Sequence, residues 1–332
     1  MIILKTQGKH LIFISDSTNP AYNLACEEYL LTKKSEEFLF LWRNSASVII
    51  GRNQNAHAEI NLDFVQKNNI PVVRRLTGGG AVFHDLGNIN FSYIINSDKL
   101  VDLKNQFSKI IDFLKSIGLD AVFSGRNDII ADGYKISGTA QVSKNGRAIV
   151  HGTLLYSADL SVLSEALTPN PLKLQSKGIS SVKSRVANIS SLLDIDKTPS
   201  QFLNDMYYFL LNDGDCPKAS FSETDVSEIE KLRKSKYSTW DWNFGDAPKF
   251  TIEKSVLSSC GLLTANYTVR NGLIENIRFF GDFNALREIH ELEKLFVGLS
   301  TNPDLLKEQI GTIDFNSFIQ NSTTEDFLKL FN

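Results

Sequence analysis

The chain has 332 residues, of which 42% are hydrophobic and 22% charged, the balance of a globular protein with a core rather than of a disordered chain. Its formal net charge of −3 provides no overall basic field for nucleic acid or an anionic membrane. Three widely spaced cysteines (Cys26, Cys216, Cys260) exclude a disulfide framework and a C-x-x-C metal site, and neither a membrane span nor a signal peptide is expected, so a cytoplasmic enzyme or binding protein is the default.

The first helix is predicted at "NPAYNLACEEYLLTK", where Asn19 can cap and Pro20 suits the first helical position. Strands follow at "EFLFLWR" and "SVIIGR", then a short helix capped by Asn61, then the strand "PVVRRL". "AVFH" and "NINFSYII" read as two strands meeting at a turn near residues 85–87. Phe107, Ile110, Ile111 and Leu114 recur at helical spacing before Gly118, a C-terminal stop. "AVFSGRNDII", "YKISGTAQVS" and "RAIVHGTLLY" are strand-like, and the intervening "ADG" and "KNG" carry hairpin-turn chemistry. The first 160 residues therefore predict an α+β fold with a largely antiparallel sheet, not the strand–helix alternation of a doubly wound fold. Residues 169–188 are polar, two helices follow, and "TWDWNFGDAPKF" (239–250) looks like a hinge-like junction. Beyond it, strands with an Asn271–Gly272 turn and then mostly helix predict a smaller α+β domain, giving a division at 1–249 and 250–332.

The chemistry concentrates in "RRLTGGGAVFHDLGNINFS" (74–92). Three consecutive glycines cost conformational entropy, yet backbone N–H groups freed of side chains can close around an anion. Arg74 or Arg75 would add a charge-assisted contact to phosphate or carboxylate. The spacing is neither that of a P-loop nor of a dinucleotide fingerprint, so the glycines alone also fit a hairpin turn. In "DGYKISGTA", Lys135 stands beside Ser137, Gly138 and Thr139 on a strand. It is either a solvent-facing strand residue or a point charge that holds a carboxylate and a phosphoryl group together as they react. His84 and His151 lie in strand-like segments where a histidine is commonly a hydrogen-bonded core residue, and neither has metal-ligand company. Cys26, among Leu24, Ala25 and Tyr29, reads as a small buried hydrophobe. "KLQSKGISSVKSRVANI" (173–189) is basic and serine-rich, a solvated loop or a mobile lid approaching a polyphosphate.

In family order, "NLACEE", "FLWRN", "VIIGRNQN", "RRLTGGGAVFHDLGNINFS", "SGRNDI", "KISGTA", "HGTLL", "KGISSVKSRVANI" and "WDWNFG" closely resemble the lipoate–protein ligases over essentially the whole chain. The resemblance implies a biotin/lipoyl protein ligase catalytic domain, related to class II aminoacyl-tRNA synthetases, with the family's accessory domain at the C-terminus. It implies that lipoate attacks the α-phosphate of ATP to give lipoyl-adenylate and pyrophosphate. The lipoyl group then passes to a lysine of an acceptor lipoyl domain and AMP leaves. Lys135 falls at the family's lysine position, bridging the lipoyl carboxylate and the α-phosphate. Arg75, Gly80, Ala81, Val82 and Phe83 match nucleotide-contacting positions, and Asn127 and Asp128 would orient the nucleotide or its magnesium. Trp42, His84, His151, Gly78 and Gly79 are the candidates to border the lipoyl group. No protein-borne metal set is visible, so Mg²⁺ would arrive with ATP. The implied acceptors are lipoyl domains of 2-oxoacid dehydrogenase E2 subunits or the glycine-cleavage H protein.

Two other readings are weighed. A lipoyl or octanoyl transferase of the same fold would work through a cysteine thioester, yet residues 74–92 and 125–156 contain no cysteine. A non-catalytic lipoyl-domain-binding adaptor would be favoured by loss of the lysine or of the glycine loop, and both are present.

Overall fold

The computed structural model describes residues 10–124, 127–167, 186–193, 196–212, 219–244 and 252–331. The predicted lid, apart from residues 186–189, and the 245–250 part of the junction lie outside the described residues.

The strands are β1 (Leu11–Ile14), β2 (Phe38–Trp42), β3 (Ser47–Ile50), β4 (Val72–Arg74), β5 (Val82–His84), β6 (Asn88–Asn96), β7 (Ala121–Ser124), β8 (Asp128–Ala131), β9 (Tyr134–Lys144), β10 (Arg147–Leu155), β11 (Ile252–Ser258), β12 (Gly261–Arg270) and β13 (Leu273–Gly281). They form a seven-stranded sheet in the order β1-β2-β6-β10-β9-β8-β7 and two three-stranded sheets, β4-β3-β5 and β11-β12-β13. Only β1–β2 runs parallel in the large sheet; its other pairs are antiparallel, so the fold is α+β with a mostly antiparallel sheet.

Local chemistry explains most of the elements. The helix Pro20–Lys33 starts where Asn19 accepts the Tyr22 N–H at 3.0 Å, and the helix Leu62–Lys67 where Asn61 accepts that of Phe64 at 3.2 Å. The β8–β9, β9–β10 and β12–β13 turns place Asp132–Gly133, Asn145–Gly146 and Asn271–Gly272 in the left-handed region, φ between 50° and 80°, which those residues tolerate. Gly118, at φ 94°, ends the chain segment after the helix Ser108–Ser116.

β5 and β6 do meet at a turn, fixed by the Gly87 N–H on Asp85 Oδ1 at 2.8 Å, but they do not pair. β5 pairs antiparallel with β3 in the small sheet, while β6 enters the large sheet between β2 and β10. The segment after the glycines is thus a crossing from one sheet to the other.

The large sheet is covered on both faces. Odd-numbered β6 residues Ile89, Phe91, Tyr93 and Ile95 pack with Ile110, Phe113 and Leu114 of the helix Ser108–Ser116, and with Phe202, Leu203, Met206 and Leu210 of the helix Pro199–Asn212. The opposite face, with Phe38, Phe40, Trp42 and Ile94, meets Leu24, Leu30 and Leu31 of the first helix. Ile229 of the helix Glu223–Leu232 joins this second core. The C-terminal sheet and helices hold a separate core that includes Phe279, Phe296, Phe315 and Phe327.

Candidate active site

On β9 the sheet register sets the position of Lys135. Ser137 pairs with Ile129 and Lys135 with Ile130, so the shift between them leaves Ile136 as an extra residue. Strict alternation would put Lys135 on the same side as Ser137, toward the core that holds Ile129. The bulge returns it to the face of Gly138, and Lys135 Nζ lies 3.7 Å from where a Gly138 Cβ would stand. There it meets Asp128 Oδ1 at 2.6 Å, both side chains being about a third exposed (39% and 35%). A carboxylate oxygen is therefore already at contact distance from the ammonium. Asn127 is bound to the next strand, its carbonyl accepting from Thr139 N at 2.9 Å and Oγ1 at 3.0 Å.

The glycine segment lies over the same face, with the position of a Gly79 Cβ 4.0 Å from Ala140 Cβ. Each glycine has its own reason. A Cβ on Gly51 would meet Gly79 O at 2.0 Å, and one on Gly78 would meet Phe283 O at 2.4 Å. Gly79 has φ 89°, and Gly80 faces open space, with nothing within 4 Å of an added Cβ. Gly80, Ala81 and Val82 are half-buried along this opening, whereas Phe83 is buried in the small-sheet core.

Both arginines are spent on the protein's own carbonyls. Arg75 Nη2 donates to Gly78 O at 2.6 Å and Gly80 O at 2.9 Å, Nη1 to Ile49 O at 3.2 Å, and Nε to Thr77 Oγ1 at 2.9 Å. Instead of offering its fork to an anion, it braces the loop from beneath, and burial brings its guanidinium down to about 10. Arg74 holds the carbonyls of Gly51, Arg52 and Gln54 with Nη1, that of Trp242 with Nε and that of Asn243 with Nη2. Trp242 Nε1 donates back to Arg74 O at 2.8 Å. The start of the predicted junction is thereby fixed to β4.

A chain of buried polar groups runs on from Arg75. Thr77 Oγ1 lies 2.8 Å from His151 Nε2, and His151 Nδ1 lies 2.8 Å from Glu27 Oε1. In the neutral ring, Nδ1–H donates to the carboxylate and Nε2 accepts the Thr77 hydroxyl. Ser92 Oγ also donates to Glu27 Oε1, at 2.5 Å, and receives Trp42 Nε1–H at 2.8 Å. His151, expected to border the lipoyl group, thus meets Glu27 directly, and Trp42, expected there too, reaches it through Ser92; nothing in the sequence assigned Glu27 a role. Its signal was a glutamate on the apolar stripe of the first helix, four residues after Asn23 and three before Leu30. Glu27 is 1% exposed.

His84 sits beside Trp42, ring centroids 6.0 Å apart, and its Nδ1 accepts from Asn44 Nδ2 at 3.2 Å. Its Nε2 has no hydrogen-bond partner. Burial, and then the charge of Arg75, drive it down to about 3, so the ring is neutral. Among the described residues no group of three His, Cys, Asp or Glu side chains gathers to hold a metal, and no helix is long and apolar enough to cross a membrane.

This arrangement, a lysine opposite a braced glycine loop over an antiparallel sheet, matches a known class. Residues 19–208 match the lipoyl protein ligase A/B catalytic domain, and residues 247–331 the bacterial lipoate protein ligase C-terminus. The chain belongs to the lipoate–protein ligase family and is an enzyme of that kind. It is 39% identical to the lipoate-protein ligase LplJ of Bacillus subtilis, over 96% of this chain and 99% of that one. It is 35% identical to lipoate–protein ligase 1 of Staphylococcus aureus, over 96% and 99%. Among solved structures, Plasmodium falciparum LipL1 in complex with lipoate shares 27% identity over 96% of both chains, with a TM-score of 0.76. A lipoate-protein ligase A bound with ATP shares 31% identity over 72% of this chain and 99% of that one, with a TM-score of 0.60. A chain from the structural analysis of the bipartite lipoate protein ligase of Thermoplasma acidophilum and its E2 lipoyl domain shares 32% identity over 74% and 99%, also at 0.60.

Proposed function

We propose that this ligase activates lipoate with Mg-ATP as lipoyl-adenylate, then transfers the lipoyl group to a lysine of an acceptor lipoyl domain. The observation that carries the reading is Lys135, turned by its bulge to face a carboxylate beside the glycine loop. Two anions must meet in this reaction, so a fixed ammonium and oriented backbone N–H groups lower the barrier where charge develops. Lys135 bridges the carboxylate of lipoate and the α-phosphate. One carboxylate oxygen bonds to phosphorus as pyrophosphate leaves. In the second step the acceptor amine attacks the acyl carbon, AMP departs, and the amine's proton passes to water.

Gly80, Ala81, Val82 and the Phe83 backbone line the nucleotide's path. Arg75 acts on it through the loop whose carbonyls it holds. Asn127 and Asp128 orient the phosphates, with magnesium entering as the counter-ion of ATP. Gly79, Trp42, His84 and His151 border the lipoyl chain. Gly78 is a weaker candidate for that role, because the space a side chain would fill holds the Phe283 carbonyl. The acceptors are lipoyl domains of 2-oxoacid dehydrogenase E2 subunits, the glycine-cleavage H protein, or both. We assign the catalytic unit to residues 1–249, the accessory unit to 250–332, and the reaction to the cytoplasm.

A thioester transferase needs an accessible thiolate. Among the described residues the cysteines, Cys26 and Cys260, are both fully buried, and burial pushes the Cys26 thiol well up; Cys216 lies outside the described residues. The test is intact-mass spectrometry of an apo lipoyl domain with this protein, lipoate and Mg-ATP, each small component omitted in turn. A mass gain on the acceptor lysine that requires ATP is expected, and Lys135→Ala abolishes it without unfolding the chain. A gain independent of ATP, or a Lys135→Ala variant forming adenylate at the unsubstituted rate, would overturn the reading.

A further inference from the structure

Asn90 on β6 is 1% exposed, and neither its Oδ1 nor its Nδ2 meets a hydrogen-bond partner. Buried side-chain amides nearly always find partners, so a residue with both ends unused calls for an explanation. Its neighbours two residues away on the same face are engaged: Asn88 Nδ2 donates to Phe83 O at 2.9 Å, and Ser92 Oγ to Glu27. Asn90 therefore projects between the backbone that follows the glycines and the Glu27 network, on the site face of the sheet.

The register puts it in a row that leads to Lys135. Asn90 pairs with Trp42 on β2 and with Thr153 on β10. Gly152 pairs with Thr139, so the next residues along, Thr153 and Gly138, stand side by side, and Gly138 pairs with Asp128 on β8. Thr153 and Gly138 are half-buried, small, and open to the cleft, while Asn90 closes its inner end. Strands lie about 4.8 Å apart, so Asn90 stands roughly 10 Å along the row from Gly138. The Asn90 amide and the Lys135 ammonium thus stand along one row on the same face, and a carboxyl group is the part of the substrate that can take a hydrogen bond from each. The methylene chain and dithiolane ring of lipoate have no comparable partner for an amide, so the carboxyl end is the part that fits.

We propose that Asn90 is a further catalytic residue: its amide N–H holds the carboxyl oxygen that does not attack phosphorus. That oxygen becomes the acyl carbonyl of the adenylate and gathers negative charge when the acceptor amine adds to the acyl carbon. A donor fixed there binds the tetrahedral state more strongly than the adenylate, which is how it accelerates transfer. As the carbon–oxygen bond to AMP breaks, the charge returns to a carbonyl and the amide product leaves. The proposal rests on the ligase reading of Lys135.

The experiment uses full-length Asn90→Ala, Asn90→Leu and Asn90→Ser. Single-turnover transfer from purified lipoyl-adenylate to an apo lipoyl domain is followed beside ATP–pyrophosphate exchange and thermal midpoint. Leucine fills the space without a donor, and serine keeps a smaller one. Transfer by Asn90→Ala and Asn90→Leu is expected to slow about 100-fold, with Asn90→Ser roughly tenfold faster than Asn90→Leu and exchange less affected. Asn90→Leu transferring within about threefold of the unsubstituted chain would overturn the proposal. So would losses that only follow the folded fraction. A Lys135→Ala variant that still forms adenylate would instead remove the site reading itself. An inactive Lys135→Ala beside unimpaired Asn90 variants would refute the Asn90 role alone.

Discussion

Glu27 shows what a single buried charge does in this molecule. It accepts from Ser92 and His151, and through His151 and Thr77 it connects to the guanidinium of Arg75, whose charge it favours. Removing one member of such a set strands the others without water. Glu27→Ala is expected to cost about 3 kcal/mol in chemical denaturation, with Glu27→Gln costing less because its amide oxygen still accepts. Adenylate formation should fall beyond the loss of folded protein, since Arg75 then braces the glycine loop less firmly. An Ala variant as stable as the unsubstituted chain would mean that the network carries no load.

His84 makes the pH dependence predictable. Its pKa falls from 6.5 to about 3 on folding, chiefly by burial and next by Arg75 and His151. Below pH 6.5 the unfolded chain takes up the proton that the folded chain refuses. This contribution is therefore complete above about pH 7 and is lost as pH falls toward 3. His10, lowered by burial against the opposing charge of Glu37, acts in the same direction. The His84 part is on the order of 3 kcal/mol between pH 7.5 and pH 4, to be read from urea unfolding at stepped pH. His84→Asn should flatten the curve; an unchanged slope would mean the ring is protonated in the folded state.

Among the elements, the glycine loop separates packing from binding. Gly51→Ala sets a Cβ against the Gly79 carbonyl, 2.0 Å away, where backbone must yield. A loss of about 2 kcal/mol or more is expected. Gly80→Ala meets nothing within 4 Å. It should leave the unfolding free energy within about 1 kcal/mol of the original while raising the apparent KM for ATP about tenfold, because the methyl enters the cleft. Equal behaviour of the two variants would contradict this division. Elements whose causes are local were legible in sequence: the Asn19 and Asn61 caps, the Asn–Gly and Asp–Gly turns, and the strand runs. What was not legible depends on distant partners. Nothing in "VFHDLGNINF" says that its two strands enter different sheets, and no glycine or proline marks the bulge that turns Lys135 outward. Two adjacent arginines read as anion binders, yet the carbonyls that absorb them come from residues 49–54, 78–80 and 242–243. Lys135 could be found by motif, whereas Asn90 shows itself only through the absence of hydrogen-bond partners in the folded sheet.

In the whole molecule, the C-terminal unit has its own core but rests on the glycine loop and the segment at Asn53. Gly281 N donates to Asn53 O at 2.8 Å, and Phe283 O occupies the space a Gly78 side chain would need. The Lys144–Glu288 ion pair at 3.0 Å is more than half exposed on both sides and contributes well under 1 kcal/mol. The seat is thus mostly backbone against backbone, on the loop that we propose lines the nucleotide's path. Trp242 and Asn243 are fixed to β4, so any swing of this unit leaves them with the catalytic sheets. We expect lipoate plus Mg-ATP to shift the small-angle scattering profile as the loop closes on the adenylate and the seat is lost. Gly78→Ala supplies the control, because its Cβ would stand 2.4 Å from Phe283 O and force the units apart without ligand. Its unliganded profile should approach that of the liganded parent. Identical scattering in all states would mean that the unit keeps its seat through the reaction, and the loop would then have to admit the nucleotide from the side of Gly80.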